Sequence, residues 1–474
     1  MKLKLTLVAA LATAALAQVA PAATQVIDIT GATAFRAGAV NAIKAAYVTS
    51  SLNFGYVGTS FTGAAQHIFV GKISTVGGGT DTIVIRTAWN GSTEGARACI
   101  FGIANSYLPT TSSVSTGGTP SLPTGTDSST AAKMYFSDVK FANTVYAGMT
   151  LTGTAFSNVS ALSEQPVGAI VFTPIKNKGS GTSYDRFTNI SQKQFQALYG
   201  VTNLGRAKLS FFTGDTTDDG INVYATGRND LSGTRTDYLL ESGFGAANQV
   251  RQWKAVGTTT SGGSPASSIT TLQLWPTNDL TGSVGSSTDN RSLQWTRADA
   301  QIAAAGYPQP GAEIGGNGGY GSGGTINAIM QLNSTSVTTK LADGSADRTG
   351  QNIILFSWLG IPDAVTATGN GAVAIGWNGV GLTTPVTITA GAGNGLPQAD
   401  KRKIQRGEYT AWTFENFNLI GDSGDGSDLS NAYLAILGAI GASDIASVGG
   451  LTATEMTGVT RAKDGGVITV PVAP

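Results

Sequence analysis

The sequence predicts an α/β fold, and one pattern that occurs three times predicts it. A short apolar strand runs into a turn of small and hydroxyl residues, and the turn opens a helical segment. In the first unit, Val26-Ile27-Asp28-Ile29 leads through Thr30-Gly31-Ala32-Thr33-Ala34-Phe35-Arg36 into an Ala-rich amphipathic stretch, 37–47. In the second, the β-branched Thr82-Ile83-Val84-Ile85 leads through Asn90-Gly91-Ser92-Thr93-Glu94-Gly95 into a helix from Ala96. In the third, a strand over 221–226 leads through Arg228–Arg235 into a helix over 236–242.

The remaining elements follow in order. Met134-Tyr135-Phe136-Ser137 is a short strand that delivers Asp138 at its end. Val167–Phe172 is a continuous apolar run between Pro166 and Pro174, the signature of a strand buried on both faces. Ser191 precedes Gln192–Tyr199 as an N-cap. Val373–Gly376 is a short strand, Tyr409–Ile420 carries aromatics at strand spacing, and 428–441 closes with a helical pattern. The stretches 108–131, 256–290 and 308–324 are rich in Gly, Ser and Thr without a packing pattern, and are expected to be surface loop insertions. Residues 1–23 carry the pattern of a secretory signal: Lys2 and Lys4, an apolar run to Ala17, then small residues up to Ala22. The signal has no cysteine for lipid attachment, so a soluble, exported, periplasmic or secreted protein is expected.

Composition narrows the function. The chain has 474 residues, 29 Lys+Arg against 29 Asp+Glu, one His and one Cys. Zero net charge gives no footprint for nucleic acid. A single Cys rules out an internal disulfide framework, and a single His with a single Cys nearly excludes classical zinc sites and Ser-His-Asp chemistry. His67 and Cys99 are expected to be structural. No catalytic residue, metal or cofactor is expected.

What remains is an oxyanion chemistry. A helix start exposes backbone N–H groups at the positive end of its dipole. Hydroxyls at Thr33, Ser92, Thr93, Ser232 and Thr234 add donors to those three turns. Each turn taken singly is ordinary N-capping. Convergence of three would build a neutral-donor oxyanion pocket. Arg228 adds a bidentate guanidinium, with Asp230 two residues on to hold it. Asp138 would repel a fully ionised anion but accepts a hydrogen bond from one that carries a proton, which separates phosphate from sulfate near neutral pH.

At these residues the chain resembles the periplasmic phosphate-binding proteins of ABC phosphate importers. Gly31-Ala32-Thr33-Ala34-Phe35 is similar to the family's first phosphate loop, Gly91-Ser92-Thr93-Glu94-Gly95 to its second, and Phe136-Ser137-Asp138 to its Ser-Asp. Arg228-Asn229-Asp230-Leu231-Ser232-Gly233-Thr234 matches Arg-x-Asp-x-Ser-Gly-Thr, the most specific of these motifs. Ser191–Tyr199 with Gly200, and Ala374–Trp377, resemble two further segments. Ala34 and Glu94 depart from the usual pattern, and the chain is longer than is usual there.

The resemblance implies a two-lobe class II periplasmic-binding-protein fold with Gly/Ser/Thr-rich loop insertions. Lobe I is expected over 24–160 plus 409–474 and lobe II over 161–408. It implies phosphate contacts from Thr33, Ala34, Phe35, Thr93, Asp138, Arg228, Ser232, Gly233 and Thr234, with Asp230 and Ser92 in support. It implies inorganic phosphate and an inner-membrane ABC permease as partners. The alternatives are an exported structural or surface protein that keeps the fold, a binder of another oxyanion, and a secreted phosphatase.

Overall fold

The computed structural model describes residues 23–58, 60–112, 114, 127–128, 131–148, 153–246, 248, 250–256, 268–275, 318–389 and 395–469. Residues 1–22 of the expected export signal, and most of the three Gly/Ser/Thr-rich stretches, lie outside them.

The chain is a mixed α/β structure built on one large sheet. The first half runs β1 (Thr24–Gly31), α1 (Arg36–Ala46), β2 (Asn53–Val57), β3 (Gln66–Gly71), β4 (Thr82–Ala88), α2 (Ser92–Phe101) and β5 (Met134–Ser137). β6 (Leu162–Lys176) leads into the second half. There α3 (Gln192–Tyr199), β7 (Arg206–Lys208), β8 (Asn222–Ala225) and α4 (Gly233–Glu241) come first. β9 (Trp253–Ala255), β10 (Thr271–Leu274), α5 (Gly323–Met330), β11 (Val337–Lys340) and β12 (Ala346–Gln351) follow. β13 (Ile353–Gly360) then passes into α6 (Ile361–Gly369). β14 (Trp412–Ile420) returns, and α7 (Asp428–Ala439) packs on α1.

The strand order is β7-β8-β13-β6-β14-β5-β1-β4-β3-β2. β1 is parallel to β4 and β5, and β8 is parallel to β13. β6 joins the halves: Leu162–Val171 pair with β14, and Phe172–Lys176 pair with β13. Its residues from Gly168 onward are all buried, which is why the sequence there is continuously apolar rather than alternating. β14 shares this central position, lying antiparallel between β5 and β6. A second sheet, β9-β10-β11-β12, lies in the second half.

Aromatic contacts fasten the first half to the central strands. Phe136 on β5 stacks on Phe417 of β14 with ring centroids 4.2 Å apart, and Phe417 stacks on Tyr433 of α7 at 4.6 Å. Phe35 joins the same cluster through Phe136. The only histidine, His67, is also a core residue: its ring bonds Thr87 and Phe61, and burial pushes its pKa down to about 4. Cys99 is buried with its Sγ directed at the Met134 carbonyl.

Three expectations need correction. The stretch 256–290 contains β10, whose Leu272 is buried in the main core together with Ile269. The stretch 308–324 ends in a backbone segment that pairs with Arg228 through Tyr320 and then enters α5. Helices α2 and α4 begin at Ser92 and Gly233 rather than at Ala96 and Thr236. Sequence reasoning also passed over β13, although Ile353-Ile354-Leu355-Phe356-Ser357-Trp358-Leu359 has the same continuous apolar character as β6.

Gly31 shows how tightly the first turn is set. Its φ is +122°, and a Cβ there would sit 2.0 Å from the Phe136 carbonyl oxygen. We therefore expect Gly31→Ala to lower unfolding stability by about 2–4 kcal/mol, from combined backbone strain and overpacking. Urea titration measures this, and a loss below about 0.5 kcal/mol, ordinary for an indifferent surface site, contradicts it.

Candidate functional site

The carboxyl ends of the parallel strands β1, β4 and β5 carry Thr33, Ser92, Thr93 and Asp138. The end of β8 carries Arg228–Thr234, and the end of β13 carries Asp363. Strand ends of this kind are where open α/β sheets place ligands. Here the ends of the two halves face each other and touch.

The contact is made by two helix starts. Gly91, at φ +115°, turns the chain from β4 into α2, and its N–H donates to the Gly31 carbonyl at 2.9 Å. Ser232 caps α4, its Oγ accepting from the Arg235 N–H. The Glu94 N–H of α2 donates across the seam to the Leu231 carbonyl at 3.2 Å. Thr93 and Thr236 share a hydrogen bond between hydroxyls at 3.2 Å. The N–H groups of Ser92, Thr93, Gly233 and Thr234 lie in the first turns, where no intrahelical acceptor exists.

Asp138 sits against this junction. It is 1% exposed, and its Oδ1 lies so close to Gly233 that a Cβ there would be 1.5 Å from it. Only glycine fits at that first helical position. Oδ1 has no hydrogen-bond partner. Burial pushes the Asp138 carboxyl up to about 6, against the opposing pull of a Ser92 hydrogen bond and the Arg228 charge.

Arg228 reaches the seam from the other half. It is 3% exposed, its Nη2 donates to Thr33 Oγ1 at 3.4 Å and to the Gly321 carbonyl at 3.0 Å, and its Nε donates to the Tyr320 carbonyl. Burial lowers its pKa, while the charges of Asp363 and Asp138 hold it up. Arg235 and Gln252 in turn bond the Arg228 carbonyl and that of Gly318. The arrangement is a buried guanidinium, two helix starts and a buried carboxylate around one junction.

The structure thus brings Thr33, Ser92, Thr93, Asp138, Arg228, Ser232, Gly233 and Thr234 together. Ala34 is partly buried against the core and Phe35 is fully buried, which leaves backbone as the part of Phe35 open to any ligand. The Ser232 hydroxyl already serves as an N-cap. Asp230 does not hold Arg228: its Oδ1 is buried without a partner, and no ion pair joins the two among the described residues. The carbonyls of Tyr320 and Gly321 take that place, both far along the chain, and the Asp363 charge acts on Arg228 without a direct ion pair among the described residues. Glu94 is buried but paired with Arg97 at 2.8 Å one helical turn on, so its charge is met inside its own helix.

Sequence reasoning missed 318–323. Ser322 before Gly323-Gly324-Thr325-Ile326, with Ile329 and Met330 on one face, was the available signal for a capped helix start. It also missed a group of buried acids. Asp237 of α4 and Glu415 of β14 have both carboxylate oxygens buried and unpartnered. Burial raises both pKa values well above the carboxylate range, and the neighbouring Asp138 charge raises them further. Asp464 is better served, accepting from Lys140, Asn143 and Thr413. The C-terminal segment carrying it also reaches α4, where Arg461 pairs with Glu241 at 3.1 Å. Among the described residues no cluster of His, Cys, Asp or Glu has the geometry to hold a metal, and no helix is long and apolar enough to cross a membrane.

No protein-family model matches the chain. No curated protein matches it either. Solved structures similar to it include one from Clostridium perfringens assigned as a phosphate ABC transporter substrate-binding protein with bound phosphate. It has 10% identity and a TM-score of 0.40, covering 90% of this chain and 100% of that one. An ABC-type phosphate transport receptor from Vibrio cholerae has 11% identity and a TM-score of 0.37, with the same coverage. PstS from Borrelia burgdorferi has 10% identity and a TM-score of 0.29, covering 84% of this chain and 87% of that one. These are weak superpositions, so the functional reading rests on the residues of the site.

An acid whose pKa is raised by folding stabilises the fold when protonated, and that contribution is lost as pH rises through the folded value. Stability is therefore expected to fall from pH 5 to pH 8, with Asp138 losing its part around pH 6. Asp237→Asn is expected to gain about 1–3 kcal/mol at pH 8 and much less at pH 5, because an unpaired buried charge is removed. Urea unfolding at the two pH values checks this, and an equal effect at both contradicts it.

Proposed function

We propose that this chain is an extracytoplasmic solute-binding protein that captures inorganic phosphate between two lobes and delivers it to an inner-membrane ABC permease. The lobes would be 24–160 with 409–474, and 161–408, pivoting about β6 and β14. The observation that supports this most is the meeting, at one seam, of a buried Arg228, two helix N-termini and a buried carboxylate with an unpartnered oxygen. Donors of this kind suit a tetrahedral oxyanion. Asp138 suits one that still carries a proton.

Binding needs no bond to be made or broken. On this reading the halves hinge apart, the anion enters, and closure replaces the Glu94–Leu231 and Arg228–Thr33 contacts with contacts through the anion. Phosphate would accept from Arg228 and from the first-turn N–H groups of α2 and α4, and donate its proton to Asp138. Sulfate has no proton to donate, and an ionised Asp138 facing it would be a buried repulsion. No nucleophile paired with a base lies among these residues, so binding rather than turnover is proposed, outside the inner membrane.

Isothermal titration of residues 24–474 with phosphate and with sulfate tests this. At pH 8, phosphate is expected to bind at micromolar Kd or tighter and sulfate about 100-fold more weakly, a gap of about 2.7 kcal/mol. The gap narrows below pH 6, where Asp138 takes up a proton and can donate to sulfate. Asp138→Asn narrows it at every pH. Folded protein that gives no heat with either anion contradicts the reading.

A further inference from the structure

The Arg228 guanidinium needs a counter-charge, and the neighbouring Asp230 does not supply it. Asp363 stands in the first turn of α6, directly after β13. Its carboxylate lies against the start of α5: a Cβ on Gly323 would be 2.0 Å from Asp363 Oδ2 and 3.7 Å from Arg228 Nη1. Gly323 and Gly324 are the first two residues of α5, so the carboxylate occupies the positive end of that helix as well as that of its own. A side chain at Gly323 would displace it. Gly323 in this low-complexity stretch therefore has a structural reason.

The same carboxylate faces the other half. The Arg36 charge acts on Asp363, and Arg36 is the first residue of α1, three positions after Thr33. The Arg228 Nη2 bonds Thr33 itself. The Arg36 and Arg228 charges both act on Asp363, with no direct ion pair between any two of the three among the described residues. Nη2 and Nε of Arg228 are held by Thr33, Gly321 and Tyr320, and Nη1 lies beside Gly323, on the side where the Asp363 carboxylate also lies.

We propose that Asp363 is the counter-charge that positions the Arg228 guanidinium for an oxyanion. This rests on the oxyanion-binding reading for its functional part, and on geometry alone for the pairing. The charge requirement is specific: Glu keeps it and Asn does not.

Two measurements test the proposal. The first is the phosphate Kd by calorimetry at pH 8. Asp363→Asn is expected to weaken binding about 30-fold, which is about 2 kcal/mol. Asp363→Glu recovers most of that loss. Gly323→Ala, which moves the carboxylate without removing its charge, weakens binding in the same direction. Asp230→Asn weakens it less than Asp363→Asn. The reverse ranking of Asp230→Asn and Asp363→Asn, or a wild-type Kd for Asp363→Asn, overturns the proposal. The second is a double-mutant cycle of Asp363→Asn with Arg228→Gln, read as urea midpoints with no anion present. Non-additive midpoints support the pairing, and additive ones overturn it. This arm decides the pairing even if the wild-type chain binds no oxyanion, a result that would sink the phosphate reading alone.

Discussion

Burial of charge at the seam between the two halves constrains the rest of this molecule. Arg228 and Asp138 are both almost fully enclosed, and they come from opposite sides of the central strands β6 and β14. A buried ion is costly unless hydrogen bonds and a partner meet it. Arg228 is met by backbone carbonyls from 320–321 and by Thr33. Asp138 is met only in part, by Ser92, with one oxygen left over. The glycines at 31, 91 and 233 follow from this, because each lets backbone or carboxylate come closer than a Cβ allows.

The central strands make that seam precise. β6 and β14 belong to the sheet pairing of both halves, so the strand ends that carry the site are fixed by continuous hydrogen-bonded ladders. At the helix starts the seam is crossed by a backbone hydrogen bond, a hydroxyl pair and a long guanidinium contact, and farther from them Arg461 pairs with Glu241. The acids Asp237 and Glu415 cost stability when ionised, because both are buried and unpartnered, which ties the fold to pH.

Much of this was legible in the sequence, because local chemistry decides it. The turn at 228–235 opens a helix, though that helix begins at Gly233 and not at Thr236, and Met134–Ser137 delivering Asp138 marks a strand end. The turns at 31–35, 91–95 and 228–234 were found because small and hydroxyl residues are needed wherever backbone N–H groups must be exposed. What could not be read depends on contacts distant in sequence. The hydrogen-bond partners of Arg228 lie at 33, 320 and 321, and no local pattern separates those from Asp230, which is two residues away and makes no bond to it. The stretch around 318–324 looked featureless because glycine is selected there for close approach, and low complexity hides that reason. β13 was missed for a different cause: the pattern was present and was not applied to it.

Oxyanion capture at the seam is the central claim, and a crystal structure grown with phosphate at pH 8 tests it most directly. The claim predicts phosphate between the halves, with oxygens within hydrogen-bond distance of Arg228 and of first-turn N–H groups of α2 and α4, and with one oxygen facing Asp138 at a distance that requires a shared proton. The direct Glu94–Leu231 bond would then be gone. A structure in which that bond persists and phosphate is absent from the seam, at a concentration that saturates any micromolar site, would contradict it.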